Sequence, residues 1–158
     1  MSPPRPPHFP HGPPLVPRVR DNPRGPIPVF LGAALAGKAV REPSGADFAA
    51  SYTYVADVAA GLLAAYAAKT LSHDVYHLGS GRNYDTASVA AAVRAAVPGA
   101  AIDVGPGSSP WTDHTRMRGP LAGTRFADDT GWVPAYSLEA GIAAFANWMR
   151  AHPESYRD

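Results

Sequence analysis

The chain has 158 residues, 46% of them hydrophobic, with a formal net charge of +1 and no cysteine. Disulfides, thiol catalysis and thiolate metal sites are therefore excluded, and the charge gives no reason to expect nucleic acid or membrane partners. No apolar run approaches the roughly 18 residues of a membrane span and no secretory core opens the chain, so a cytoplasmic protein is the expectation.

Eleven of the 18 prolines fall within the first 28 residues. Proline fixes φ and removes backbone donors, so no ladder is expected over residues 1–24. Three readings of this arm stand open. It is a disordered or polyproline II arm, a ligand for a proline-reading or anionic partner, or the product of a shifted reading frame or mis-called start in a GC-rich gene.

From Ile27 the pattern becomes orderly. "IPVFLGAALAGKAV" sets Ile27, Phe30, Leu31 and Leu35 on one helical face, and Gly37 can end the helix. "REPSGADFAA" reads as a loop. Tyr52 to Val55 suits a strand or extended segment, and Asp57 to Lys69 a helix with Val58, Leu62 and Tyr66 four apart. Asp57 sits at the switch of period and suits the N-cap, where its carboxylate would accept from residue 59 or 60.

"DVYHLGS", residues 74–80, reads as a short apolar strand ending in glycine. "DTASVAAAVRAAVPG" reads as a helix with Val89, Val93 and Val97 four apart, stopped by Pro98-Gly99. "AAIDVG" suits a strand and "GTRFADDTGW" a short helix. The last helix carries Leu138, Ile142, Phe145 and Met149 on one face. Alternating helices and short strands place the chain in the α/β or α+β class. The expected organisation is an arm over 1–24, one folded unit over 25–152 and a tail over 153–158. His73 and His77 are four apart but fall outside the segments read as helices, so the histidines give no i, i+4 helical pair, and a metal site or a Ser/His/Asp triad is not expected.

Four segments carry a resemblance. "YVADVA" (54–59) is similar to the Tyr-Val-Asp-Asp-Val-Ala segment of the NAD-dependent epimerase/dehydratase family, the extended short-chain dehydrogenase/reductases. "VYHLGSG" (75–81) resembles that family's Tyr-Asn-Val-Gly-Ser-Gly strand and turn. "TGWVPAYSLEAGI" (130–142) resembles its Gly-Trp-x-Pro segment and final helix, and "IPVFLGAALAGKAV" the helix before the nucleotide loop. They occur in the family's order over about residues 25–150. The resemblance implies an α/β fold, namely the C-terminal substrate lobe with the last elements of a Rossmann-like sheet, incomplete.

It also implies NAD as the family's cofactor and a nucleotide-sugar as ligand, with hydride transfer from a sugar hydroxyl in an intact relative. Two functional motifs of the family are missing. No three glycines are spaced as G-x-x-G-x-x-G, the turn that lets backbone approach a pyrophosphate. The only lysines, Lys38 and Lys69, follow Ala34 and Ala65 by four residues, so Tyr-x-x-x-Lys is absent as well. No catalytic or cofactor-binding residue is therefore assigned, and the Gly79-Ser80-Gly81 turn reads as a tight strand exit.

The family's ligand is held by two arginines, whose forked donors pair with phosphate oxygens. The position of the first is Ala50 here, so that contact is lost. For the second, Arg116 and Arg118 are available and Arg118 is favoured. Arg41 could approach the base or a phosphate. Of the family's paired aspartates only the second remains, as Asp57, with Ala56 at the first. The competing expectation is a stand-alone, non-catalytic binding or regulatory module that uses its proline-rich arm.

Overall fold

The structure is a computed structural model that describes residues 25–113 and 116–155. The proline-rich arm, His114 and the last three residues of the expected tail lie outside the described residues.

Helix α1 (Pro26–Leu35) starts with proline at its first position, where the missing N–H costs nothing. It ends as expected at Gly37, whose φ is 68°. Gly37 N donates to Ala34 O and Lys38 N to Ala33 O, the paired bonds of a Schellman motif. Helix α3 (Thr86–Ala96) is capped by Asp85, whose carboxylate accepts from Ser88 N at 2.7 Å. Helix α5 (Leu138–Ala151) is capped by Ser137, which accepts from Ala140 N at 3.2 Å.

The apolar faces of these three helices meet. Phe30 and Leu31 of α1, Val89 and Val93 of α3, and Ile142, Ala146 and Met149 of α5 form the centre of the core, nearly all fully buried. Full burial of such a side chain contributes about 1.5–3 kcal/mol each. Val40 and Ile102 extend the core from two strands, β1 (Val40–Glu42) and β4 (Ile102–Val104), which pair in parallel with Val40 opposite Ile102. The stretch read as a loop thus contains strand residues. It also holds β2 (Ala49–Ala50), antiparallel to β3 (Tyr84–Asp85) with Ala50 opposite Tyr84. The architecture is mixed α/β, helical in its core, with two small two-stranded sheets among the described residues.

Helix α2 (Val55–Ala67) lies outside that core and buries only Asp57 and Gly61. Leu78 and Trp132 pack against Gly61. Below them Trp132, Phe126 of α4 (Thr124–Thr130) and Tyr76 form an edge-to-face aromatic chain with centroids 5.5 and 5.6 Å apart. The Asp129 carboxylate ties this satellite cluster down, accepting from Ser72 N at 2.7 Å, from the Ser72 hydroxyl at 3.0 Å and from the Tyr76 hydroxyl. The helical face expected at Val58, Leu62 and Tyr66 does form, but Leu62 is 63% and Tyr66 91% exposed.

Two expectations are corrected. Residues 74–80 are in no strand. A strand needs a neighbour that exchanges backbone bonds along its length, and the bond described to this stretch comes from a side chain, the Thr53 hydroxyl to Leu78 O. Asp57 does not cap its helix. The N-cap is Tyr54, three residues earlier than the sequence suggested, and it makes no side-chain cap bond. The Asp57 carboxylate is occupied elsewhere. Among the described residues no helix is long and apolar enough to cross a membrane.

Candidate functional site

A cavity of about 570 Å³ opens between the start of α1, the extended stretch before α2, and α5. That is an ordinary size for a small-molecule site. Ile27 and Pro28 form one side, because α1 begins there. Leu138, Ile142, Phe145 and Trp148 form another, following the helical spacing of α5. Tyr52, Tyr54, Tyr84 and Tyr136 complete a mostly aromatic wall.

Asp57 positions part of this wall from behind it. It is 3% exposed, and its two oxygens accept from Ala135 N at 2.9 Å and Tyr136 N at 3.1 Å. Hydrogen bonds to a buried carboxylate are the stronger kind. They fix the segment leading into α5, and the Tyr136 ring then lies 4.5 Å from that of Tyr54. Thr53 donates to Leu78 O at 2.9 Å and so secures the opposite end of the extended stretch.

The Tyr52 hydroxyl is buried without a partner among the described residues. Loss of water around it pushes its pKa up to about 12.

One cation lies at the edge of the cavity. Arg82 is exposed, its guanidinium 6.0 Å from the centre of the Tyr84 ring, and its carbonyl accepts from the Ser51 hydroxyl at 3.3 Å. The Glu139 carboxyl of the first α5 turn is held below its usual range by its own backbone N–H, by the Ser137 hydroxyl and, less strongly, by the charge of Arg82. Arg82 therefore belongs to the neighbourhood of Ala50, which pairs with Tyr84. Sequence reading missed it, because only the β2–β3 register brings it there.

The two arginines expected from the sequence stand apart from the cavity lining. Arg118 is exposed, and its carbonyl accepts from the Asn83 amide at 2.7 Å, next to Tyr84 of the wall. Arg41 is exposed on β1, where the register sets it beside Asp103. Arg116, the other candidate, is exposed. No group of three or more metal-binding side chains occurs among the described residues.

The Gly79-Ser80-Gly81 turn does not fit a dinucleotide. Gly81 N already donates to Leu121 O at 3.1 Å. A Cβ on Gly79 would stand 2.6 Å from that same oxygen, and one on Gly123 2.4 Å from Gly79 O. These glycines admit a second stretch of backbone, which fills the place a pyrophosphate would need.

No family model and no curated protein matches the sequence. Solved structures do. The Bordetella bronchiseptica enzyme WbmF, in complex with NAD+ and UDP, matches 83% of this chain at a TM-score of 0.66 and 24% identity. UDP-glucose 4-epimerase of Thermotoga maritima, with UDP-glucose, matches 82% at 0.66 and 21% identity. dTDP-glucose 4,6-dehydratase of Bacillus anthracis, with NAD, matches 85% at 0.67 and 17% identity. The chain has the fold of part of an NAD-dependent epimerase or dehydratase. It spans about two fifths of the length of these enzymes, covering 38%, 40% and 41% of them respectively.

Proposed function

We propose that this chain is the nucleotide-sugar-holding part of an NAD-dependent epimerase or dehydratase, corresponding to the C-terminal substrate lobe and lacking the cofactor and acid/base motifs. The observation that carries this reading is an aromatic cavity edged by Arg82, in a fold shared with enzymes solved with UDP and with UDP-glucose. The aromatic wall suits the planar base or the apolar face of a sugar. Arg118 and Arg82 supply the forked donors for the diphosphate, Arg82 standing in for the arginine lost at Ala50. Arg41 has a smaller share, because Asp103 beside it offsets its charge. Hydride transfer to NAD needs residues that this sequence does not contain, so the chain alone turns over no NAD.

The test is calorimetric titration of the full chain with UDP-glucose. Saturable binding is expected, weakened roughly tenfold in Arg82→Gln and in Arg118→Gln, as for loss of a charge-assisted bond. Absence of binding, or an NAD-dependent absorbance change with any nucleotide-sugar, overturns the reading.

A second reading is a stand-alone, non-catalytic binding module. It is favoured by the way α1, α3 and α5 close a buried core by themselves. A chain that sediments as a monomer, unfolds cooperatively and ignores UDP-glucose would support it.

A further inference from the structure

The cavity between α1, the extended stretch and α5 is lined by one kind of chemistry. Among the described residues that line it there is no Asp, Glu, Lys, Arg or His, and six carry aromatic rings. We infer that this cavity binds an uncharged, flat, fused-ring aromatic alcohol in its own right, and that it excludes the ionised counterpart of the same shape.

The first support is charge. Moving an ionised group from water into such a lining costs far more than moving a neutral one, because no counter-charge waits inside. Arg82 stands outside the lining, and the Glu139 carboxylate, next to Leu138 of the wall, already draws on its charge. The edge thus carries both signs and gives an anion no clear advantage.

The second is shape. The walls are held in place before any ligand arrives. The Trp148 indole is stacked on the His152 ring at 4.5 Å, and His152 Nδ1 lies 2.8 Å from Trp148 O. Tyr136 is fixed by the bonds of its segment to Asp57 and lies against Tyr54. Tyr52 contributes its ring, since its hydroxyl is buried. Fixed rings of this kind favour a flat aromatic body that can stack or meet them edge to face.

The third is the count of small hydroxyls in the lining. Thr53 donates its proton to Leu78 O. Ser137 accepts from Ala140 N and is bonded to the Glu139 carboxylate. Ser80 is exposed and makes no hydrogen bond to a described residue, so it can both donate and accept. One hydroxyl on the ligand answers Ser80, while the rings go inside. This does not rest on the nucleotide reading, in which the diphosphate stays outside with the arginines.

The test uses the full chain and follows its tryptophan indole N–H signals by NMR. Trp148 lines the cavity, Trp111 packs on Phe30, and Trp132 lies against Gly61 of α2. The titrants are 2-naphthol and 2-naphthoate at neutral pH, where the first is uncharged and the second ionised. Saturable naphthol binding is expected, with a shift at Trp148 several times that at Trp111 and Trp132, and naphthoate is expected to bind at least about tenfold more weakly. A Cβ on Gly141 would stand 3.4 Å from the Tyr54 side chain, so Gly141→Leu takes up cavity space and should weaken naphthol by about tenfold or more. Ser80→Ala lies on an exposed residue and tests the same site where Gly141→Leu does not fold; a loss of roughly fivefold is expected, as for one hydrogen bond. Equal affinity for the two titrants, shifts spread evenly over the tryptophans, or unchanged naphthol affinity in Ser80→Ala or in a folded Gly141→Leu overturns the inference. So does a chain that binds UDP-glucose and ignores naphthol, which leaves the nucleotide reading standing. A chain that binds naphthol and ignores UDP-glucose does the reverse.

Discussion

Asp57 and Tyr136 are joined by a hydrogen bond of 3.1 Å from the Tyr136 main-chain N–H to the Asp57 carboxylate, with Ala135 N bound to the other oxygen at 2.9 Å. One buried acid on α2 thereby sets the entry into α5 and one wall of the cavity. Asp57→Ala would leave two N–H groups without partners. A loss of about 2–4 kcal/mol in urea unfolding is expected. Asp57→Asn keeps an acceptor and should lose about half as much. A loss under about 0.5 kcal/mol for the alanine variant would show that the clamp is not what holds the segment.

Tyr52 gives the chain an alkaline signature. Burial pushes its pKa up to about 12, so the folded chain holds that proton more tightly than the unfolded chain, whose phenol titrates near about 10. Stability from the neutral phenol is complete below a pH of about 10 and is lost as the pH rises through about 12. Wild type should therefore lose on the order of 1–2 kcal/mol more than Tyr52→Phe across this window. Parallel losses in the two proteins would sink the claim, as would a phenol whose ultraviolet tyrosinate absorbance appears at the ordinary pH.

Gly79 tests the role of the glycine turn. A methyl group there meets the Leu121 carbonyl at 2.6 Å, and backbone cannot step aside as a side-chain tip can. Gly79→Ala should cost about 1–3 kcal/mol. Any affinity for UDP-glucose measured well below the unfolding transition should stay within a few-fold. Unchanged stability with abolished nucleotide binding would restore a phosphate-cradling role.

The open face of α2 predicts self-association. Val55, Leu62, Leu63 and Tyr66 are 63–91% exposed on one helix, and Val75 and Val133 add further exposed apolar surface. Contiguous apolar patches of this kind are sticky in water. Sedimentation velocity should show concentration-dependent association. Leu62→Lys/Leu63→Glu should reduce it while changing stability by less than about 1 kcal/mol. A wild-type chain that stays monomeric at high concentration would contradict this.

The core was readable in advance because its signals are local. The four-residue spacing of Val89 and Val93, the spacing of Leu138, Ile142 and Met149, and the stops at Gly37 and Pro98-Gly99 all depend on near neighbours. The site was less readable because its parts depend on distant ones. The partners of Asp57 lie 78 and 79 residues away, so its sequence position suggested a cap. The strand expected at 74–80 has an apolar composition but no strand pairing among the described residues. Arg82 reaches the cavity edge only through the pairing of Ala50 with Tyr84. The tyrosines of the wall come from separate stretches, none of which marks a site by itself.

The parallel pairing of β1 with β4 bears on how the chain acquires its shape. Val40 N donates to Ala101 O at 2.9 Å, across the whole of α2 and α3. Closing so long a loop costs entropy before any contact rewards it, and parallel strands cannot meet through a tight turn. During synthesis β1 emerges long before its neighbour and must wait for it. The helices can form their local turns in that interval, and the strand pair then acts as a clasp that shuts late. In a refolding experiment pulsed with deuterium, the Val40 amide should be among the last to gain protection.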